Sequence, residues 1–143
     1  MTIGKNIITV FNKYAAGDSN SPFPPTESWN KTVIKFAQWE DTTDRQANTN
    51  GITQVNKLIS IIIPKNANTQ GKKYVKPLEW TRLSTEQKLL SWTLKAEDYI
   101  FFEEVPISTI TTDIIKQNRC CLIKTVDDLS DQPVLPHWEI TGV

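Results

Sequence analysis

The sequence is poor in the residues that most often carry chemistry. It holds one histidine, one methionine, five glycines and two cysteines, and 16 Lys and Arg balance 16 Asp and Glu. Five glycines, none at the spacing of a phosphate-cradling loop, argue against a nucleotide site of that kind. Zero net charge removes the global basic field of a dedicated nucleic-acid binder. The two cysteines, Cys120 and Cys121, are adjacent. Neighbouring thiols cannot bridge each other without severe ring strain, and paired zinc ligands need residues between them. They read as packing thiols of a protein made in a reducing cytosol, with no metal and no cofactor expected. Long apolar runs are missing too. The densest, Leu58 to Ile63, is far short of the ~20 residues of a membrane helix. Met1 to Val10 has no signal-peptide core, and neither end carries a lipidation motif. No membrane partner is expected.

What is abundant is β-branched. Val, Ile and Thr total 41 residues against 15 for Ala and Leu, a composition that suits pleated surfaces. Alternation predicts strands over 6–14 (Ile8, Val10 and Asn12 on one face), 29–40, 52–63, 98–105, 120–126 and 137–141. In the second strand, Trp29, Lys31, Val33, Lys35, Ala37 and Trp39 are expected to share a face. Between the third and fourth strands, Lys72 to Lys76 reads as a short extended piece. Pro77 to Trp80 reads as a helical turn with proline first, and Ser84-Thr85-Glu86-Gln87 as a capping box. Ser108 to Gln117, with Ile110, Ile114 and Ile115 at helical spacing and Asn118 as a stop, reads as a further short helix. The expectation is one domain over residues 1–143, mainly β: a small antiparallel β-barrel or sandwich of about six strands with one or two short helical inserts.

Catalytic candidates are few. His137 stands two residues from Glu139 and so shares its face in a strand, but no serine occupies a nucleophile elbow. The carboxylate pairs Glu40-Asp41, Glu103-Glu104 and Asp127-Asp128 point to opposite faces if extended, so none forms an acid–base dyad. The protein is expected not to be an enzyme. Three lysines around Tyr74 in Gly71-Lys72-Lys73-Tyr74-Val75-Lys76 leave a nucleic-acid-binding barrel as one alternative. A small hydrolase using His137 is another. The five tryptophans stand out: a core of this size is expected to bury two or three. Trp29, Trp39, Trp80 and Trp138 are therefore candidates for core or interface positions.

Several segments together resemble a known family. They are Ile8-Thr9-Val10-Phe11-Asn12-Lys13-Tyr14, Trp29 with Thr32-Val33-Ile34, Ile61-Ile62-Ile63-Pro64 and Gly71-Lys72-Lys73-Tyr74-Val75-Lys76-Pro77-Leu78-Glu79-Trp80. Glu97-Asp98-Tyr99-Ile100 and Pro136-His137-Trp138-Glu139-Ile140 complete the set. In this order they are similar to a family of small head–tail connector, or minor capsid, proteins of tailed phages and prophages of Gram-positive bacteria. The resemblance implies a structural virion protein of the neck, of head-completion or stopper type, with tail terminator as the neighbouring alternative. It implies a homo-oligomeric ring, expected to be hexameric, with a portal or adaptor protein and a tail-terminator protein as partners. Genomic DNA would pass without sequence recognition. The place would be the virion neck, reached from the host cytoplasm during assembly.

A DNA channel favours acidic or neutral lining, because phosphates bind Lys and Arg strongly. The segment Asp41 to Thr53 reads as a polar loop of about 13 residues, against the ~2–5 of a usual hairpin connection. Glu40, Asp41, Asp44, Asn48, Asn50 and Gly51 are its candidate channel-lining or gating residues. The denatured, unreduced protein should titrate two thiols per chain, and fewer would mean that Cys120 or Cys121 is bridged.

Overall fold

The β-branched segments do become strands, and their register explains the rest of the molecule. The computed structural model describes residues 4–16, 26–47 and 53–143. In chain order the elements are β1 (Asn6–Ala16), β2 (Thr26–Ala47), β3 (Thr53–Pro64), β4 (Lys73–Tyr74), α1 (Pro77–Trp80), α2 (Thr85–Leu89), β5 (Ser91–Trp92), β6 (Tyr99–Phe102), α3 (Thr112–Gln117), β7 (Cys120–Leu129) and β8 (His137–Gly142). Six strands close an antiparallel barrel in the order β1, β2, β3, β8, β7, β6. The expected fold class stands.

Two strands make the closure possible by serving two ladders each. β2 pairs with β1 up to Ala37, then with β3 from Gln38 onward. β7 pairs with β6 over Cys120–Leu122 and with β8 from Ile123. At each change of partner the register shifts, between Asn6 and Ile7 opposite β2 and between Ile123 and Thr125 in β7. Such bulges bend a strand and raise its twist, which is what a corner requires. In β2 the extra residue is Phe36, held at φ 71° with its side chain exposed. It reverses the alternation: Asn30, Thr32 and Ile34 are buried before it, Ala37 and Trp39 after it. The single face expected for Trp29, Lys31, Val33, Lys35, Ala37 and Trp39 is therefore two faces. Trp29, half-buried, stands edge-on to Tyr99 at 6.0 Å in a separate outer cluster, whereas Trp39 enters the barrel core.

That core is Ile8, Val10, Ile34, Ile61, Ile63, Ile100, Cys121, Ile123 and Ile140 with their neighbours. Each strand contributes alternate residues, as a barrel interior demands. The two cysteines are free and divided as alternation dictates: Cys121 lies inside, and Cys120 lies outside against the segment carrying α3. Burial pushes the Cys121 thiol up to about 12.

Two inserts complete the domain. Residues 65–98 fold over the end of the barrel where β3 stops and β8 begins, and bring Trp92 and Leu94 into the core. The tie is polar and specific. Asn12, which points inward from β1, acts as a peptide surrogate for Thr93: its Oδ1 accepts the Thr93 N–H at 3.1 Å and its Nδ2 donates to the Thr93 carbonyl at 2.7 Å. The same Nδ2 donates to Asp98 at 3.0 Å, so a fully buried amide is satisfied. Tyr74 packs between Trp92 (5.0 Å) and Trp138 (4.5 Å). The second insert, residues 103–119, covers the outer face of β1 and β6 with Val105, Ile107, Ile110 and Ile114 against Phe11 and Phe101.

The local signals for short helices hold. Pro77 opens α1, and Ser84 and Gln87 form the reciprocal capping box of α2. α3 starts at Thr112, capped by the Thr111 side chain, rather than at Ser108. β6 is shorter than expected because Asp98 spends its carboxylate on Asn12 and Lys13, and Glu103 turns away at φ 69°. β7 runs on to Leu129, and β5 carried no recognisable strand pattern. Four tryptophans, not two or three, are buried: Trp39, Trp80, Trp92 and Trp138. The first insert adds a second layer, which buries Trp80 and covers Trp92.

Truncating Trp138, 4% exposed beside Tyr74 and Trp92, should lower stability by about 3–5 kcal/mol in denaturant unfolding. A methyl at Gly142 would meet Cys121 Sγ at 2.7 Å and the Leu122 carbonyl at 2.8 Å, so Gly142→Ala should cost about 1–3 kcal/mol by the same measurement.

Candidate functional site: the β2–β3 arm

Past the barrel wall, β2 and β3 continue together as a two-stranded arm. Their ladder runs from Gln38↔Ile62 to Ala47↔Thr53, but β8 accompanies β3 only over Ile59–Pro64, and β1 leaves β2 at Ala37. Among the described residues, Thr43–Ala47 and Thr53–Lys57 find ladder partners only in each other. β2 has 22 residues, about 70 Å of strand at ~3.3 Å per residue, several times the length of the four-residue β6.

The segment 41–53 is thus not the polar loop expected from the sequence. Asp41 and Asp44 lie in β2, opposite Ile59 and Asn56, and only residues 48–52 connect the strands. Residues 42–46 are all polar, so no hydrophobic alternation marks the strand in the sequence. Asn48, Asn50 and Gly51 fall outside the described residues. Glu40 is exposed and accepts from Gln38 Nε2 at 2.6 Å.

The root of the arm is fastened to the barrel. Arg119, at the start of β7, lies over the ring of Phe102 at 4.3 Å and over Trp39 at 5.6 Å, and its guanidinium pairs with the Asp41 carboxylate. Trp39 Nε1–H donates to the other Asp41 oxygen at 3.1 Å, and Trp39 and Phe102 meet edge-on at 5.6 Å. The Trp39 backbone N–H donates to Asn6 Oδ1 at 3.0 Å, which ends the β1 ladder. A planar cation between two rings and a carboxylate is a geometry that arginine satisfies and lysine does not. Asp41 therefore anchors the arm, and its charge is matched by Arg119. Arg119 and Phe102 carried no sequence signal: their contacts with Asp41 and Trp39 join residues 63 to 80 positions apart, and lone arginines are ordinary surface residues.

The opposite hairpin, formed by the ends of β1 and β2 beyond the barrel wall, is treated differently. Lys13 N–H donates to Asp98 Oδ1 at 3.2 Å, Lys95 Nζ donates to the Lys13 carbonyl at 2.8 Å, and Lys72 Nζ reaches the Lys31 carbonyl. Side chains of the first insert thus take the backbone N–H and carbonyl of Lys13 and the carbonyl of Lys31.

Other candidates take structural positions. Lys72 is half-buried, with Nζ held by Asn30 Oδ1 (3.1 Å) and Thr32 Oγ1 (3.2 Å), and burial lowers its pKa. The Tyr74 hydroxyl, buried and near the Asp128 carboxylate, is raised to about 12. The lysine run thus gives its aromatic ring and one of its three ammoniums to the fold, which leaves little to stack on bases. His137 Nδ1 faces the Leu135 carbonyl at 2.5 Å and Nε2 faces Glu139 Oε1 at 3.0 Å. Both partners accept, so both nitrogens favour carrying a proton and the pKa is raised. When both nitrogens carry protons, the ring has no lone pair for general-base work. Trp80 and Trp138 are core residues, as is Trp39 at the arm's root.

A family of unknown function, DUF6751, matches residues 3–143. The chain belongs to that family. No curated protein and no solved structure matches it. In this DUF6751 chain the feature that a closed barrel does not require is the arm with its aromatic–arginine root.

Replacing Arg119 with Ala should leave the barrel's melting temperature within a few degrees, since a half-exposed ion pair contributes only about 0.2–1 kcal/mol. It should speed limited proteolysis within 41–58. Unchanged cleavage would show that the clamp does not hold the arm.

Proposed function

We propose that this protein is a structural, non-catalytic component of a tailed-phage neck, a head-completion or stopper protein that assembles as a ring, expected to be hexameric. It would sit between a portal or adaptor protein and a tail-terminator protein and hold packaged DNA in the head. The observation that carries this proposal is the arm. A closed barrel has no lateral strand edge for joining copies, whereas a stiff hairpin clamped at its root can project from each copy toward a common axis. The sequence segments that resemble head–tail connector proteins run from β1 to β8 and so span the whole barrel. Zero net charge suits a channel through which DNA passes without sticking.

Obstruction rather than repulsion is the expected mode of DNA retention. Asp41 is paired with Arg119, and salt screens exposed charge beyond about 8 Å. Around the other end of the barrel, Leu78, Leu89, Leu90, Val134 and Leu135 are exposed on the first insert and the β7–β8 connection, an apolar supply for axial contacts with a partner ring.

Two measurements test the proposal. Antibody against this chain should label the head–tail junction of particles induced from the source bacterium, and absence of the chain from those particles would overturn it. Replacing Thr42–Lys57 by a two-residue Asn-Gly turn should leave the purified protein's melting unchanged but yield heads that lose their DNA. Infectious particles that retain full genomes would exclude a retaining role for the arm.

A further inference from the structure

The chain's one histidine stands where the β7–β8 connection enters β8. We propose that His137 is a proton-operated latch: as an imidazolium it bridges the Leu135 carbonyl and the Glu139 carboxylate and fixes the connection 130–136 with Val134 and Leu135 displayed, and on losing its proton it releases them. The latch is a property of the single chain and does not depend on the neck assignment.

Three observations carry it. First, both ring nitrogens face acceptors, Nδ1 the Leu135 carbonyl at 2.5 Å and Nε2 the Glu139 Oε1 at 3.0 Å. A neutral imidazole has one N–H and one lone pair. Whichever tautomer it takes, the lone pair points at an oxygen, and one of the two contacts becomes repulsive. The imidazolium alone donates to both. Second, the backbone it grips is strained and thinly held. Leu135 lies at φ 49°, a left-handed conformation that leucine rarely adopts. Val134 and Leu135 are 72% and 58% exposed, so burial does little to hold them. Among the described residues, backbone hydrogen bonds fasten the connection at Gln132, to the Leu129 carbonyl, and at Pro136, whose carbonyl accepts from the Lys65 N–H. Between those points the His137 ring takes the Leu135 carbonyl. Third, the β7–β8 ladder sets Glu139 directly opposite Asp127. Carboxylates at facing positions repel, and a cation beside Glu139 offsets that repulsion.

The surroundings keep this charge logic simple. His137 is opposite Leu129 in β7 and Pro64 in β3, neither of which is charged. Asp128 pairs in register with Trp138, one step along, and stands near Lys76. Lys65, Lys76, Glu79 and Asp131 line the cleft beside Trp138. Glu139 and, across the ladder, Asp127 are the acids in step with the ring. The Leu135 carbonyl first, and then the Glu139 carboxylate, hold the His137 pKa above its ordinary 6.5, so release comes above that pH.

Because the chain holds one histidine, the purified protein without a histidine tag gives a single imidazole signal in a proton NMR titration. The methyl signals of Val134 and Leu135 are followed in the same samples, for wild type, Glu139→Gln and His137→Gln. The expected midpoint lies above 6.5, the Val134 and Leu135 methyls shift with that midpoint, and Glu139→Gln lowers it. In His137→Gln the methyls stop responding across that range. Melting supplies a second reading. A pKa raised by folding contributes stability that is whole below 6.5 and is lost as pH rises through the folded value. Wild type should therefore out-melt His137→Gln by more near pH 6 than near pH 8.5. An equal difference at both would give the ring a packing role and overturn the latch. So would a midpoint at or below 6.5, a midpoint that Glu139→Gln leaves in place, or Val134 and Leu135 methyls that do not follow it. Glu139→Gln keeps His137 in place, so the titration decides the matter even where His137→Gln does not fold.

Discussion

Barrel closure is the constraint on which the rest of the molecule depends. Six short strands can be joined without leaving an edge only if some of them turn corners, and the corners fall on β2 and β7, each changing ladder partner at a register shift. The Phe36 bulge is the more consequential of the two. It moves Trp39 and Asp41 to the face that Asn30, Thr32 and Ile34 occupied before it, and so directs Trp39 into the core and Asp41 to Arg119. Without that change of phase the arm's root would have no aromatic seat.

The ends of the barrel then take different roles. At one end the insert 65–98 enters with Thr93 held by Asn12 and with Trp92 against Tyr74 and Trp138, so a mouth that would admit water is filled by a second hydrophobic layer. At the other end the strands of β2 and β3 outrun their neighbours. The asymmetry is energetic as well as geometric. Aromatic packing and buried amide hydrogen bonds fasten the filled end. The arm is tied by one exposed cation, two rings and a carboxylate, the kind of connection that sets direction while adding little global stability.

Much of this was legible in residue patterns where burial and alternation coincide. Ile8 and Val10, Ile61 and Ile63, and Ile123 announce core strands, and Ser84 with Gln87 announces a helix start, because hydrophobic period and capping chemistry are local properties. The adjacency of Cys120 and Cys121 likewise predicted their separation to two faces. The arm was misread as a loop for the opposite reason: Thr42–Gln46 is polar throughout, so no apolar alternation records it. The tryptophan expectation fell short because the second layer that buries Trp80 is built from residues whose short helices show no apolar face of their own.

By itself the sequence determined the class of fold, the segments that form most of the barrel strands, the capped helical turns, the free thiols and the poverty of catalytic groups, since each follows from side-chain shape, spacing or count. Tertiary structure decided which strands turn corners, that Asn12 would stand in for a peptide partner of Thr93, and that Arg119 would meet Asp41, Trp39 and Phe102. It also decided that β2 and β3 would outrun β1 and β8. These are relations between residues dozens of positions apart. They exist only once closure has fixed which edges are already used, and no local period encodes that.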